Sequence, residues 1–291
     1  MENIKKGRII NIISNIFYVE IENKIIECTS RGIFKDKEEK PVVGDIVNID
    51  INVKSILEIL ERKNYIKRPK SANISKLMLV VSCKKPKPDL LMLDKQLAFA
   101  EFLNIEPVII INKIDLDLEK AKEIEEIYSS IGYKVIKTNA KELDINSKEI
   151  HKELKNNISA FSGNSGVGKS TLINGIFKDI ITEEGEVSHK NKKGKNTTTS
   201  IKLYKIDKNT YIADTPGFST FDIFEINYKE LYKYFKEFNK YTNKCEYQDC
   251  THIKEENCGI KQNIGKKIPN SRYDNYIKIY NELKDREEHK W

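Results

Sequence analysis

The segment from Gly163 to Ser170 constrains this chain most, because its pattern works only between a strand and a helix. It reads Gly-Asn-Ser-Gly-Val-Gly-Lys-Ser and fills the phosphate-loop pattern of a glycine, four residues, then Gly-Lys-Ser. Residues 157–161 before it predict a buried strand, and residues 172–177 after it have the apolar spacing of a helix. The alternative, a chance glycine-rich turn, is disfavoured by this frame. We therefore expect the chain to bind a nucleotide phosphate.

The chemistry of such a loop follows from its backbone. Glycines let the N–H groups face a phosphate, and the helix N-terminus adds partial positive charge. Lys169 is expected to reach the β- and γ-phosphates, and the Ser170 hydroxyl is expected to ligate Mg²⁺. The predicted phosphate-binding residues are Gly163, Asn164, Ser165, Gly166, Val167, Gly168, Lys169, Ser170 and Thr171.

A guanine-reading motif follows the apolar strand predicted over 108–111. Asn112, Lys113, Ile114 and Asp115 stand at the carboxyl end of this strand, where open α/β sheets bind ligands. Asp115 can accept hydrogen bonds from both the N1–H and the amino group of guanine, and adenine has no such donor pair. At roughly 1.5–3 kcal/mol per charge-assisted bond, two bonds predict a guanine preference of about a hundredfold or more.

Another strand, predicted over 134–137, ends in Thr138-Asn139-Ala140-Lys141. This resembles the Ser-Ala-Lys loop of GTPases, in which a backbone N–H contacts guanine O6. We therefore include Asn139 and Ala140 among the expected GTP-binding residues. An ordinary loop between a strand and a helix is the alternative reading of the same residues.

The order of the motifs indicates a circular permutation. Residues 211–214 predict a strand ending in Asp214-Thr215-Pro216-Gly217, in which Asp214 holds Mg²⁺ through water and the Gly217 N–H senses the γ-phosphate. Between this motif and the phosphate loop, one of the threonines 197–199, taken as Thr198, is expected to close over Mg²⁺. Usual GTPases place the guanine-reading motifs last, whereas here they come first.

The fold class predicted for the chain is multidomain. Five short β-like runs within residues 1–69 suit a closed barrel, either oligonucleotide-binding-like or SH3-like, which binds single-stranded nucleic acid or serves only as a structural module. Continuous apolar runs alternating with helical spacing over 70–225 predict a parallel α/β sheet. A basic stretch from Arg62 to Lys70 joins the two, and a solvated linker would look the same.

The third predicted domain, 226–291, carries a metal-binding pattern followed by a helix. Cys245, Cys250, His252 and Cys258 offer three thiolates and one imidazole within fourteen residues. This set is complete for a closed, structural, tetrahedral Zn²⁺ site. Free cysteines beside a surface histidine are the alternative.

Composition adds weaker constraints. The net charge of +7 favours anionic partners such as RNA, although lysine is abundant throughout the chain. No apolar run approaches the eighteen or so residues that span a bilayer, and the first residues lack the apolar segment of a secretory signal. We therefore expect a cytoplasmic protein with no membrane partner.

Permuted GTPase motifs between a β-barrel and a Cys₃His set closely resemble the ribosome small-subunit-dependent GTPase A family. The resemblance implies an oligonucleotide-binding-fold barrel, a GTPase domain and a zinc domain that act together on the small ribosomal subunit and its 16S rRNA in late maturation. It also implies stimulation of hydrolysis by the subunit.

This chain departs from the family and from Ras-like enzymes near the expected position of the attacking water. Phe218 follows Gly217, where Ras-like enzymes place a glutamine that orients water. Asn196 stands where many family members have a histidine, and asparagine does not titrate as a base near neutral pH. We expect slow intrinsic hydrolysis, with the ribosome supplying part of the missing constellation.

The sequence thus predicts a monomeric GTP phosphohydrolase that converts GTP to GDP and phosphate. Lys169, Thr198, Asp214, Gly217 and Asn196 are its expected catalytic residues, and Ser170, Thr198 and Asp214 its Mg²⁺ residues. Two alternatives stay open: a GTP-gated RNA-binding scaffold with incidental hydrolysis, and a permuted GTPase of large-subunit assembly.

Overall fold

The N-terminal part of the chain is a closed five-stranded barrel, as the sequence predicts. The structure, a computed structural model, describes residues 3–30, 40–139, 147–184, 201–214 and 223–289. Val19, Val47 and Ile49 are fully buried inside the barrel, while their chain neighbours are more exposed. This alternation is expected of strands that have one face in the core and the other in contact with solvent. The strands, joined in the order β1-β2-β3-β5-β4, are β1 (Ile4–Ile13), β2 (Ile16–Ile21), β3 (Lys24–Ser30), β4 (Ile46–Asp50) and β5 (Ser55–Ile59).

Barrel closure depends on the long strand β1, which pairs antiparallel with both β2 and β4. A register shift between Ile9 and Asn11 lets this strand bend. At Gly7 a Cβ atom would lie 2.5 Å from Cγ1 of Val19, so the close approach of the strands requires a residue without a side chain.

A short two-stranded ribbon, β6 (Tyr65–Lys67) and β7 (Lys70–Ala72), follows the barrel and was not foreseen from the sequence. Before it, Arg62 holds the fully buried Asp45 through two hydrogen bonds, of 2.7 Å from Nε and 2.8 Å from Nη2. Arg62 is therefore part of a structural ion pair rather than of a solvated linker.

A six-stranded sheet with the order β10-β9-β8-β11-β13-β12 confirms the predicted central α/β fold. The pairs β9/β10 and β11/β13 are parallel, whereas β12 runs antiparallel to β13 because residues 208–209 join the two directly. The strands are β8 (Lys76–Ser82), β9 (Glu106–Asn112), β10 (Lys134–Thr138), β11 (Ile158–Ser162), β12 (Lys202–Asp207) and β13 (Thr210–Asp214). The helices are α1 (Leu90–Phe102), α2 (Leu118–Ser130), α3 (Ser147–Leu154), α4 (Lys169–Glu184) and α5 (Asn270–Glu288).

The chain packs as two compact units, each built from separate segments. The first comprises Met1–Leu77, Ser147–Phe161 and Leu172–Phe218, and the second comprises Met78–Asn146, Ser162–Thr171 and Ser219–Trp291. The division into domains 1–69, 70–225 and 226–291 stays a prediction.

Within the first unit, a polar cluster joins the barrel to the β12–β13 hairpin. Glu20 of β2 is buried and accepts a hydrogen bond of 2.8 Å from the Tyr211 hydroxyl, and Lys205 forms an ion pair with the same carboxylate. The Arg8 guanidinium lies 5.6 Å from the centre of the Tyr211 ring. The hairpin that ends at Asp214 is thus bonded directly to the barrel wall.

Within the second unit, α5 packs through an aromatic face. Tyr273, Tyr276 and Tyr280 are buried, and the Tyr276 ring meets Phe235 and Phe238 edge-on at 5.2 and 5.0 Å between centroids. Among the described helices, none combines the length and the apolar character that crossing a bilayer requires.

Candidate functional site

The guanine motif and its companion loop leave the sheet at one edge. In the parallel pair β9/β10, Asn112 is the register partner of Thr138, so each strand ends at the same level. Asn139, which follows Thr138, is buried there. Ala140, predicted beside it, lies outside the described residues.

Asn112 fastens the guanine motif to the phosphate loop. Its side chain is fully buried, and its Nδ2 donates a hydrogen bond of 2.8 Å to the carbonyl oxygen of Val167. Its Oδ1 accepts a bond of 2.8 Å from the Lys113 N–H. At Gly168 a Cβ atom would lie 2.2 Å from the same Nδ2, so only glycine leaves room for this amide.

Lys113 makes a second link between the two segments. Its backbone has φ of +61°, a left-handed conformation that is uncommon outside glycine and is held here by surrounding contacts. Its Nζ donates bonds of 2.6 Å to the carbonyl oxygen of Gly166 and 2.7 Å to that of Lys85. The lysine stem therefore spans the space between the guanine motif and the phosphate loop.

Asp115 stands on a single 3₁₀ turn, Ile114–Leu116, directly after these two anchors. Its side chain is exposed, while Ile114 is half-buried. An exposed carboxylate on a backbone fixed by Asn112 and Lys113 can meet the donor edge of a base without rearrangement of the motif.

The phosphate loop has the conformation that its glycines predict. Gly163, Gly166 and Gly168 have φ of +141°, +78° and +102°, values that side-chain-bearing residues rarely adopt. At Gly163 a Cβ atom would also lie 2.1 Å from the carbonyl oxygen of Val80. Beyond the loop, Ser170 and Thr171 are exposed in the first turn of α4, where N–H groups are unsatisfied.

Lys169 carries a charge that no carboxylate of the described residues neutralises. Its Nζ donates hydrogen bonds of 2.5 Å to the carbonyl oxygen of Gly163 and 2.8 Å to that of Asn164. Burial lowers the pKa of Lys169 below the ordinary lysine value. A phosphate group would therefore provide the anionic partner that the described part of the chain does not supply.

The remaining predicted catalytic residues have different outcomes. Asp214 is the last residue of β13 and its side chain is exposed. Thr198, Gly217 and Asn196 lie outside the described residues, so their roles stay predictions.

Cys245, Cys250, His252 and Cys258 form one cluster, and their four ligand atoms all lie within 4.8 Å of one another. Cys245 Sγ is 4.0 Å from Cys258 Sγ and 3.6 Å from His252 Nδ1, and Cys258 Sγ is 3.4 Å from the same nitrogen. A zinc tetrahedron, with bonds of about 2.3 Å to sulfur and about 2.0 Å to nitrogen, has edges of about 3.5–3.8 Å. The cluster therefore has the donor set and the spacing to hold a tetrahedral metal ion.

The loop that carries this cluster is built around His252. Its backbone has φ of +65°, and its carbonyl oxygen accepts a hydrogen bond of 2.7 Å from the Tyr273 hydroxyl. The Tyr232 ring packs edge-on against the imidazole at 4.8 Å between centroids. Burial lowers the pKa of His252 to about 4, so the ring is neutral near pH 7.

Glu255 organises the same loop by accepting backbone hydrogen bonds. The N–H groups of Thr251, Ile253 and Lys254 donate to its carboxylate at 2.8, 2.9 and 3.1 Å. Burial acts to raise its pKa, but hydrogen bonds from the backbone N–H groups of Glu255 itself, Thr251 and Ile253 and from the Thr251 hydroxyl outweigh it and bring the pKa down to about 2.

A buried polar network in α1 was missed at the sequence level. Arg272 is fully buried, and its guanidinium donates to Asp94 at 2.6 Å and to both oxygens of Glu237 at 2.7 and 3.1 Å. Burial alone lowers the Arg272 pKa, but the two carboxylates hold it well above the ordinary value. Asp94 and Gln96 lie among the apolar residues that α1 buries, and polar side chains within that apolar pattern were the available signal.

A phosphate loop hydrogen-bonded to a guanine motif that precedes it in the chain defines a circularly permuted GTPase, here with a Cys₃His cluster towards the C-terminus. Comparison with known families agrees with this class. Residues 59–224 match the family model of the RsgA GTPase, and residues 6–55 match that of the RsgA N-terminal domain. The chain belongs to the RsgA family of GTPases.

Individual relatives match along nearly the whole chain. A protein of Ruminiclostridium cellulolyticum named small ribosomal subunit biogenesis GTPase RsgA is 40% identical over 287 residues, covering 96% of this chain and 94% of the relative. A protein of the same name from Caldanaerobacter subterraneus subsp. tengcongensis is 39% identical and covers 100% and 99%.

Two solved structures share the fold. The crystal structure of YjeQ from Thermotoga maritima matches with a TM-score of 0.84 and 38% identity, covering 96% of this chain and 98% of the other. That of YloQ, described as a circularly permuted GTPase, matches with a TM-score of 0.80 and 31% identity, covering 97% and 96%.

Proposed function

We propose that this GTPase acts in the biogenesis of the small ribosomal subunit, and that the subunit stimulates its conversion of GTP to GDP and phosphate. The observation that carries the proposal is the double anchor of the guanine motif on the phosphate loop, through Asn112 and Lys113, in a chain related along its full length to proteins named for this role.

The chain's own residues divide the binding of GTP between them. Asp115 reads the guanine edge, with Asn139 and Ala140 beside the base. The N–H groups of the phosphate loop and the Lys169 ammonium hold the β- and γ-phosphates and balance the charge that develops there during transfer. Anchoring the base and the phosphates to one frame would lower the entropy cost of positioning the γ-phosphate for reaction.

Two metal ions complete the proposed chemistry. Ser170, Thr198 and Asp214 would hold Mg²⁺, which screens the phosphate charge when bound. Cys245, Cys250, His252 and Cys258 would hold a structural Zn²⁺, because the set has no open position. Gly217 and Asn196 are proposed to lie near the γ-phosphate and the water.

An rRNA contact is proposed at the β6–β7 ribbon. Lys63, Lys67, Arg68 and Lys70 are exposed there, within about eight residues of chain, and phosphate contacts from such side chains supply sequence-independent affinity. The 16S rRNA of the small subunit is the proposed partner, and the protein is proposed to act as a cytoplasmic monomer.

Turnover of GTP with and without purified small subunits tests this proposal. We expect slow hydrolysis by the protein alone and clear stimulation by small subunits, but not by large subunits. Absence of stimulation would favour an RNA-binding scaffold, and stimulation by large subunits alone would favour the other branch of ribosome assembly.

A base-specificity control isolates the nucleotide site from the ribosomal role. Asp115→Asn replaces a carboxylate, which only accepts hydrogen bonds, with an amide that also donates them. The nucleotide preference should therefore move from GTP to xanthosine triphosphate, whose base carries a carbonyl in place of the amino group. An unchanged preference for GTP in this variant would refute the assignment of Asp115.

A further inference from the structure

Gln96 of α1 makes a buried hydrogen bond to the residue that introduces the phosphate loop. Its Nε2 donates to the Ser162 hydroxyl at 2.9 Å, and the two residues are 2% and 0% exposed. Ser162 ends β11 and is followed directly by Gly163. The bond therefore fixes where the phosphate loop begins relative to α1.

Asp94, two residues earlier on α1, is held by the C-terminal part of the chain. Its Oδ1 accepts bonds of 2.6 Å from Arg272 and 2.7 Å from the Tyr128 hydroxyl, and its Oδ2 accepts one of 2.7 Å from Asn275. Arg272 and Asn275 both belong to α5. Asp94 is 1% exposed, so these bonds operate without competing water.

The two bonded residues face opposite sides of the same helix. With about 3.6 residues per turn, positions two apart are separated by about 200° around the axis. The apolar residues of α1, such as Leu93 and Leu97, contribute burial energy that has no preferred direction, whereas hydrogen bonds fix rotation and position. A rotation or slide of α1 that kept one polar contact would lengthen the other.

We propose that Gln96 is a positioning residue for the phosphate loop, and that the bonds of Asp94 to α5 hold α1 in the register that this role requires. Nucleotide affinity is then coupled to the docking of α5 through a single helix. Gln96 touches no phosphate itself and acts through Ser162 on the backbone that does.

The first test is a double-mutant cycle measured as GDP affinity, with Gln96→Met, Ser162→Ala and the combined variant. One neutral hydrogen bond is worth about 1 kcal/mol, so each single variant should weaken GDP binding by up to about fivefold. The combined variant should bind GDP no more weakly than the weaker of the two single variants, because the cycle cancels the contribution of the other contacts of Ser162. Unchanged affinity in the single variants, or independent effects that multiply, would overturn the proposal.

Two further variants separate positioning from general stability. Lys95→Gln removes an ion pair to Glu282, which also joins α1 to α5 but at the surface, and should leave GDP affinity within about twofold. Gln96→Glu can bond the Ser162 hydroxyl in either protonation state, so it should restore affinity even if burial of a carboxyl lowers the melting temperature. If affinity simply follows the melting temperature across the set, Gln96 has only a structural role.

The link to α5 is tested with Asn275→Ala, since removing Arg272 would strand two buried carboxylates and endanger folding. We expect weaker GDP binding in the wild-type background and little additional loss in the Gln96→Met background. A lower melting temperature with unchanged GDP affinity, or an equal loss in both backgrounds, would refute the coupling. GDP alone is the probe, so these outcomes do not depend on the ribosomal role.

Discussion

Replacing Gly168 by alanine should break the contact that joins the guanine motif to the phosphate loop. The residue has φ of +102°, and a Cβ atom there would lie 2.2 Å from Asn112 Nδ2, which is buried and bonded to Val167. Gly166 is a matched control in the same loop. Its φ is +78°, but the nearest atom to an added Cβ is Pro86 Cδ at 3.8 Å, an ordinary contact.

The two substitutions share one cost and differ in another. A left-handed conformation costs a residue with a side chain about 1–2 kcal/mol, which applies to both. Gly168→Ala also displaces the Asn112 amide from its buried partner, at about 1–3 kcal/mol. We therefore expect a loss of about 1–2 kcal/mol of unfolding free energy for Gly166→Ala and about 2–5 kcal/mol for Gly168→Ala.

Denaturant unfolding of the nucleotide-free protein and titration with GDP measure the two consequences. Gly168→Ala should lose more stability and more GDP affinity than Gly166→Ala, because displacement of Asn112 disturbs both motifs. Equal losses in the two variants would show that backbone conformation alone matters. Full GDP affinity in Gly168→Ala would refute the role given to the Asn112 bond.

Three further outcomes are expected. Arg272→Met leaves the buried carboxylates of Asp94 and Glu237 without their cation, so it should lower the unfolding free energy by about 3–5 kcal/mol. Chemical denaturation measures this loss, and a value below about 1 kcal/mol would contradict the network. A bound phosphate raises the lowered pKa of Lys169, so the affinity for phosphate ligands should decrease as pH rises, beginning below the ordinary lysine pKa of 10.5. Calorimetry should show this trend for both GDP and base-free pyrophosphate. An affinity that does not change with pH would refute it. Cys258→Ser should release the metal, seen as less than one equivalent of zinc by elemental analysis, and should lower the melting temperature; full zinc content would exclude the Cys₃His set.

Elements set by local pattern were predictable from the sequence. The barrel strands alternate in burial, β9 is a continuous apolar run, and the three loop glycines take positive φ as their motif requires. The spacing of the cysteines and His252 also sufficed to predict the metal cluster. In each case the residues that decide the structure lie within a few positions of one another.

Other features required partners that are distant in sequence. The sequence around Asn112 does not show that its amide donates a hydrogen bond to the carbonyl of Val167 rather than to a base, because Asn112 and Val167 lie 55 residues apart. Likewise, Arg272 at the start of a polar helix looks like a solvated side chain, yet it is fully buried against Asp94, 178 residues away.

The sequence alone determined which chemical groups this protein carries and which short segments present them: a phosphate loop, an Asn-Lys-x-Asp turn and a set of three cysteines and one histidine. The tertiary structure alone decided how those segments brace one another, through Asn112, Lys113 and the polar residues of α1. The physical reason is that a backbone motif is encoded by neighbours along the chain, whereas a buried hydrogen bond exists only once folding has excluded water from both of its partners.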